Sequence, residues 1–116
     1  MSPRNWRLRL EDILESIARI ADYTKGMDEA AFASDQKTID AVIRNMVVIG
    51  EAARFITSEL ETKYPHIPWA KMRGFRNVVI HEYFGVSVAI LWQTVQRNLP
   101  PLVPDLKQIL NEYEDA

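Results

Sequence analysis

Cysteine is absent from the 116-residue sequence. Its absence excludes a disulfide framework, a zinc site built on thiolates and a thiol nucleophile. Any catalytic chemistry must therefore come from other side chains. A chain without cysteine is also compatible with a reducing cytoplasm.

Long apolar runs are absent as well. The most apolar segment, Ile39–Ile49, is interrupted by Asp40 and Arg44 and is far shorter than the roughly 20 residues that a membrane-spanning helix needs. Near the N-terminus, arginines are followed by Glu11 and Asp12 instead of an apolar stretch, so no signal peptide is recognisable. We expect a cytoplasmic protein.

Signals for strands and for repeats are also missing. No Asn-Gly or Asp-Gly hairpin turn occurs, and no stretch keeps a strict alternation of apolar and polar residues. With 47% hydrophobic residues, the chain can bury one core and is too short to divide comfortably into two. We therefore expect one domain over residues 1–116, an all-helical antiparallel bundle of about five helices.

Helical spacing of apolar residues begins near the N-terminus. The pattern predicts a first helix over residues 4–25, and Gly26 offers a left-handed stop after it. Met27–Ala33 indicates a short helical turn. Ser34 or Asp35 can cap the following helix by accepting hydrogen bonds from its free amides.

The third predicted helix is long. Its apolar stripe runs from Ile39 to Leu60, and Gly50 lies within it. Because an interior glycine costs about 1 kcal/mol relative to alanine, we expect a close helix contact at Gly50. Helices of this length expose much side surface in a short chain, so we also expect a second copy to cover part of the stripes, giving a homodimer.

The C-terminal half predicts two further helical regions. Pro68 suits the first position of a fourth helix from Trp69 to about Tyr83, which Phe84-Gly85 ends. Ser87 can cap a fifth helical region. Prolines must then kink or interrupt that region at Pro100, Pro101 and Pro104.

Charge is unevenly distributed. A formal net charge of −2 argues against a protein that coats nucleic acid along its whole surface. The segment from Thr62 to His81 nevertheless contains no acidic residue and four cations: Lys63, Lys71, Arg73 and Arg76. The sequence therefore allows a local anion site.

The segment Arg76–Tyr83 gathers a cation, an amide, an imidazole and a phenol within two helical turns. Arg76 and Tyr83 fall almost on one face of the helix, and Asn77 and His81 form an i, i+4 pair. Arg76 and His81 are about 140° apart around the axis, which fits a cleft lined by this helix from two copies better than a site within one chain.

These residue types suit RNA cleavage. Histidine both accepts and donates a proton near neutral pH, as attack by the RNA 2'-hydroxyl requires. Arginine can hold the phosphate and the charge that builds on it, because its planar guanidinium makes two aligned hydrogen bonds.

The motif Arg-Asn-x-x-x-His-x-Tyr resembles the Arg-x-x-x-x-His signature of the HEPN superfamily, and specifically its form in HepT-like toxins of prokaryotic toxin–antitoxin pairs. The similarity covers most of the chain. It extends to Ile49–Ala53, Ile67–Trp69, Leu91-Trp92 and Leu99-Pro100.

This resemblance implies a metal-independent endoribonuclease that acts as a homodimer. Arg76 and His81 would be its catalytic residues, supported by Asn77 and Tyr83. The protein would be the toxin of a type VII pair, and its antitoxin, an MntA-like nucleotidyltransferase, would transfer adenylate from ATP to Tyr83. An adenylate there would compete with RNA for Arg76 and block approach to His81.

Other interpretations remain open. We expect no metal and no cofactor, because the two histidines are far apart and lack carboxylates at ligand spacing. The alternative function is a non-catalytic helical subunit that binds a minimal nucleotidyltransferase or a nucleotide. Glu51 and Arg54 could reach the cleft, but an ordinary exposed ion pair is the simpler interpretation.

Overall fold

The structure is a computed structural model that describes the backbone of residues 3–83 and 87–113, and the side chains of residues 6–77 and 87–113. These ranges contain seven α-helices, one π-helical turn and no strand, so the predicted all-helical fold is confirmed. No helix in them has the length and apolarity that crossing a bilayer requires. The α-helices are α1 (Pro3–Thr24), α2 (Glu29–Ala33), α3 (Gln36–Ala53), α4 (Ser58–Lys63), α5 (Trp69–Tyr83), α6 (Val88–Gln93) and α7 (Leu102–Glu112).

Asp35 caps α3, one of the two residues predicted for that role, and Asp28 caps α2, which the sequence pattern does not predict. Gly26 follows α1 with a φ of 79°, the left-handed conformation expected of it. The Asp28 carboxylate accepts a hydrogen bond from the Ala31 amide, and the Asp35 carboxylate accepts one from the Thr38 amide. The bond from the Thr38 amide lowers the pKa of Asp35 below its usual value, because it favours the charged form.

The prediction of one long third helix is wrong in one respect, because the helix does not continue to Leu60. Helix α3 ends at Ala53, and Thr57 starts α4 by accepting a hydrogen bond from the Leu60 amide at 3.2 Å. Ile56 and Leu60 stay buried on either side of Thr57. The apolar stripe therefore runs through the break without revealing it, while the Thr57 hydroxyl replaces the helical hydrogen bond.

The fifth helical region is divided too. Ser87 caps α6 as predicted, with its hydroxyl 3.3 Å from the Ile90 amide. A π-helical turn then covers Thr94–Asn98, and the Leu99 amide donates to the Thr94 carbonyl five residues back. Pro100 and Pro101, which cannot continue a helical ladder, separate this turn from α7, so the interruption predicted there is confirmed. The interruption predicted at Pro104 is wrong, because Pro104 lies in the first turn of α7, where an amide has no helical partner to lose.

Helix α3 lies at the centre of the molecule. It packs most extensively against α1 and α5, and α7 packs on α1. The core contributed by these elements includes fully buried Leu10, Ile13, Met46, Ile49 and Met72. The position of α5 is therefore set mainly by its contact with α3.

A polar cluster joins the loop before α5 to α7. Tyr64 is buried, and its hydroxyl donates a hydrogen bond to the Glu112 carboxylate. Burial raises the pKa of that hydroxyl above its usual value, and the bond to Glu112 raises it further. Trp69, the first residue of α5, donates its indole N–H to the Tyr64 carbonyl at 3.0 Å, so the start of α5 is fixed at this cluster.

Two interior helical glycines have opposite surroundings. A Cβ on Gly50 would lie 3.1 Å from the Arg76 amide nitrogen and 3.2 Å from the Arg76 Cβ, which confirms the predicted close helix contact. Among the described residues, no atom lies within 4 Å of a Cβ built on Gly74. Gly50 is therefore tightly packed against the α5 backbone, whereas Gly74 has no such neighbour in the described part of the chain.

Alanine at these two glycines should change stability in opposite directions. Gly50→Ala should destabilise the fold by up to about 2 kcal/mol, because the roughly 1–3 kcal/mol cost of moving the α5 backbone away exceeds the roughly 1 kcal/mol that alanine gains as a helix former. Gly74→Ala should stabilise it by about 0.5–1 kcal/mol, because alanine is the better helix former and meets no neighbour. Urea unfolding of both variants measures the difference, and equal effects would contradict this description of the α3–α5 contact.

Candidate active site

Helix α5 carries the Arg76–Tyr83 motif and buries one side of itself. Trp69, Met72 and Phe75 recur every three residues and are almost completely buried. Arg76 and Asn77 follow on the exposed side. The apolar side thus fixes the helix against the core and leaves the start of the motif at the surface.

Both the backbone and the guanidinium of Arg76 contact α3. Its backbone lies against Gly50 of α3, and its guanidinium Nη1 is 3.1 Å from the Glu51 carboxylate Oε1. The other oxygen of Glu51 lies 3.2 Å from Nη1 of Arg54. One carboxylate therefore joins two arginines, and the α3–α5 contact places all three groups together.

The expected Glu51–Arg54 pair is confirmed, but the Glu51–Arg76 pair is not foreseen by the sequence. The only signal for it is that Gly50, where a close contact is predicted, directly precedes Glu51. That signal does not say which helix approaches Gly50. Because the Arg76 and Glu51 side chains remain 47% and 38% exposed, both are accessible to a ligand.

The other predicted site residues lie on the same helix. Asn77 is exposed one residue after Arg76. The backbone is helical through His81 and Tyr83, but their side chains, like Phe84-Gly85, lie outside the described residues. The unbroken helix keeps positions 76 and 81 about 140° apart. The shared cleft and the roles of His81, Asn77 and Tyr83 stay predictions.

The cations near the motif are partly neutralised. Arg73 pairs with Glu61, as Arg76 does with Glu51. Lys63 donates to the Tyr113 hydroxyl at 2.7 Å. Lys71 is exposed. The positive charge that the sequence places between Thr62 and His81 is thus offset by carboxylates from α3 and α4.

Among the side chains of residues 6–77 and 87–113, no three histidine, aspartate or glutamate groups lie close enough together to hold a metal ion.

Comparison with known proteins adds independent information. Two proteins of Methanocaldococcus jannaschii, each named as a candidate RNase, are 37% identical over 107 residues and 36% identical over 115 residues. The alignments cover 92% and 99% of this chain and 98% and 99% of the relatives. A protein of Thermococcus cleftensis named as a probable ribonuclease HepT is 43% identical over 93 residues, which are 80% of this chain and 84% of the relative. No solved structure matches the chain.

A family model described as Ribonuclease HepT-like matches residues 13–111. The match includes the contact at Gly50 and the whole Arg76–Tyr83 motif, and it confirms the resemblance drawn from that motif. The chain belongs to the HepT-like ribonuclease family.

Proposed function

We propose that this protein is a metal-independent endoribonuclease and the toxin of a type VII toxin–antitoxin pair, acting in the cytoplasm as one domain per chain. The observation that carries the proposal is the match to the HepT-like ribonuclease family over residues 13–111. The exposed, oriented guanidinium of Arg76 supports it, because RNA cleavage needs a fixed cation at the phosphate.

The proposed reaction uses the RNA's own 2'-hydroxyl. Its oxygen forms a bond to the adjacent phosphorus as His81 accepts its proton, and the bond from phosphorus to the 5'-oxygen breaks. The leaving 5'-oxygen takes a proton from the protonated imidazole of His81 in a second copy of the chain. The products are a 2',3'-cyclic phosphate and a 5'-hydroxyl.

Arg76 stabilises the extra negative charge on the phosphorane-like transition state. Its planar guanidinium can bind two phosphate oxygens at once. Glu51 already holds the guanidinium at 3.1 Å, so little side-chain freedom is lost when RNA binds. Asn77, exposed beside Arg76, supports the phosphate or the imidazole of His81.

Two copies are needed for this site. On one continuous helix, positions 76 and 81 point about 140° apart, so one phosphate cannot meet both side chains of the same α5 easily. When α5 of two copies faces across a two-fold axis, Arg76 of one copy approaches His81 of the other. The homodimer is therefore part of the proposal.

Neutralisation by an MntA-like nucleotidyltransferase antitoxin completes the proposal. The Tyr83 hydroxyl oxygen would bond to the α-phosphorus of ATP, losing its proton and releasing pyrophosphate. Position 83 is seven residues after Arg76, about 20° away around the helix and about 10 Å along it. An adenylate there would compete with RNA phosphate for Arg76.

Removal of the imidazole tests the mechanism. In excess EDTA, the parent protein should cut RNA and leave 2',3'-cyclic phosphate ends, whereas His81→Ala should lower the rate by about a hundredfold or more and keep its circular dichroism spectrum. Cleavage assays on protein whose mass shows an unmodified Tyr83 measure this. No cleavage of single-stranded or structured RNA by the dimeric parent would favour the non-catalytic binding subunit.

Glu51→Gln tests whether the carboxylate orients Arg76. Loss of its charge should lower kcat by roughly tenfold, because Arg76 is then less well placed. KM should fall at the same time, because a negative charge beside the RNA phosphate is removed. Steady-state kinetics on a fluorescent RNA separates the two constants.

The matched control is Glu61→Gln, which frees Arg73 on the same helix. It should leave kcat unchanged. A Glu51→Gln variant with the parent's kcat, or a control that loses as much activity, would show that Glu51 has no specific role in positioning Arg76.

The modification site can be tested with a second tyrosine as control. Incubation with the nucleotidyltransferase, ATP and Mg²⁺ should add the mass of adenylate to the parent and stop its RNA cleavage. Tyr83→Phe should gain no mass, and the nucleotidyltransferase and ATP should not lower whatever rate of cleavage it has. Tyr23→Phe, which changes a tyrosine 39% exposed on α1, should be modified like the parent. Adenylate on Tyr83→Phe, seen by intact-mass spectrometry, would exclude the assignment.

A further inference from the structure

A cavity lies on the other side of α5 from Arg76. Its volume is about 400 Å³, and residues of α5, of α6 and of the π-helical turn line it. None of the residues to which the proposed function gives a role is among the described residues that line this cavity. The residues that line it with polar or open surface are Lys71, Gly74, Gln93, Thr94 and Asn98.

Gly74 leaves one wall of this cavity open. It lies in the interior of α5, where glycine weakens a helix, yet no atom of the described residues would meet a Cβ there within 4 Å. Gly50 is explained by its contact with Arg76, but nothing inside the described chain requires Gly74. A glycine in this setting is suited to the close approach of something from outside.

The π-helical turn forms the opposite wall. Such turns are rare and occur frequently at functional sites. Here the turn begins at Thr94 and ends at Asn98, and both residues line the cavity. The Thr94 hydroxyl donates to the Ile90 carbonyl at 3.0 Å, which leaves its oxygen lone pairs for a ligand.

The lining has the chemistry of a nucleotide site. The ammonium of Lys71 can meet a phosphate, and the two primary amides, Gln93 and Asn98, can each donate and accept hydrogen bonds, as base edges require. Among the side chains that the structure describes, no carboxylate lines the cavity. Ile90, 48% exposed at its edge, offers apolar surface to a base or ribose.

We infer that this cavity binds one nucleotide of single-stranded RNA beside the cleaved bond, with Gln93 and Asn98 contacting its base. The inference rests on the proposed ribonuclease function. Position 81 follows Gly74 by seven residues on the same helix, about 20° around the axis and about 10 Å along it. A nucleotide in the cavity therefore lies next to the phosphate that His81 would serve.

Binding can be measured without cleavage. In ¹⁵N-labelled His81→Ala protein, a mixed-sequence RNA hexamer should shift the side-chain amide resonances of Gln93 and Asn98. It should not shift that of Gln96, which is exposed on the same turn but does not line the cavity. Adding Gly74→Met, which fills the cavity with a flexible side chain, should abolish the shifts.

Cleavage kinetics give a second readout in the otherwise unchanged protein. Asn98→Ala should raise KM by about five- to tenfold, the loss of one hydrogen bond, with little change in kcat. Gln96→Ala should leave both constants unchanged. Gly74→Met should raise KM at least as much as Asn98→Ala does. Its melting temperature should stay at or above that of the parent.

The outcomes distinguish the two proposals. If the parent cuts RNA but the hexamer leaves the Gln93 and Asn98 resonances in place, the cavity is not a nucleotide site and the ribonuclease stands. If the parent cuts no RNA yet the hexamer shifts these resonances, the cavity is a nucleotide site, but the ribonuclease function and the place of the cavity beside a cleaved bond are both overturned. Sedimentation of Gly74→Met as a different oligomer from the parent would show that a second copy occupies the cavity, which would overturn the inference.

Discussion

The contact between α3 and α5 at Gly50 is the constraint on which the candidate active site depends. Because Gly50 has no side chain, the backbone of α5 approaches until the Arg76 amide nitrogen lies 3.1 Å from where a Cβ would be. The same approach brings Glu51 to the Arg76 guanidinium. Without this contact, the motif residues would still follow one another along α5, but nothing on α3 would fix the direction of the Arg76 guanidinium.

The Glu51 carboxylate joins two arginines on a partly exposed surface. Exposed ion pairs contribute only about 0–1 kcal/mol to stability, so its value to the fold is small. Its larger effect is on charge and orientation. It partly neutralises the charge of Arg76 and Arg54, and it fixes the direction of the Arg76 guanidinium.

Sequence patterns predict local structure where a single residue sets it. Gly26, Asp35 and Ser87 end or begin helices as expected, because each acts on neighbouring backbone groups. The break at Thr57 and the π-helical turn are missed, because buried residues continue at helical spacing through both. The motif itself is readable, whereas the Glu51–Arg76 pair depends on which helix packs at Gly50, a tertiary choice that no local pattern encodes.

The two sides of α5 together argue for a site shared between chains. Arg76 lies on the side of α3, whereas the cavity at Gly74 opens towards the π-helical turn, about 160° away around the helix. A nucleotide in that cavity would therefore be near position 81 of its own chain and far from its own Arg76. Under the proposed function, the cation that binds the neighbouring phosphate would then come from a second α5. The angle between Arg76 and His81 and the position of the cavity lead to the same two-fold arrangement.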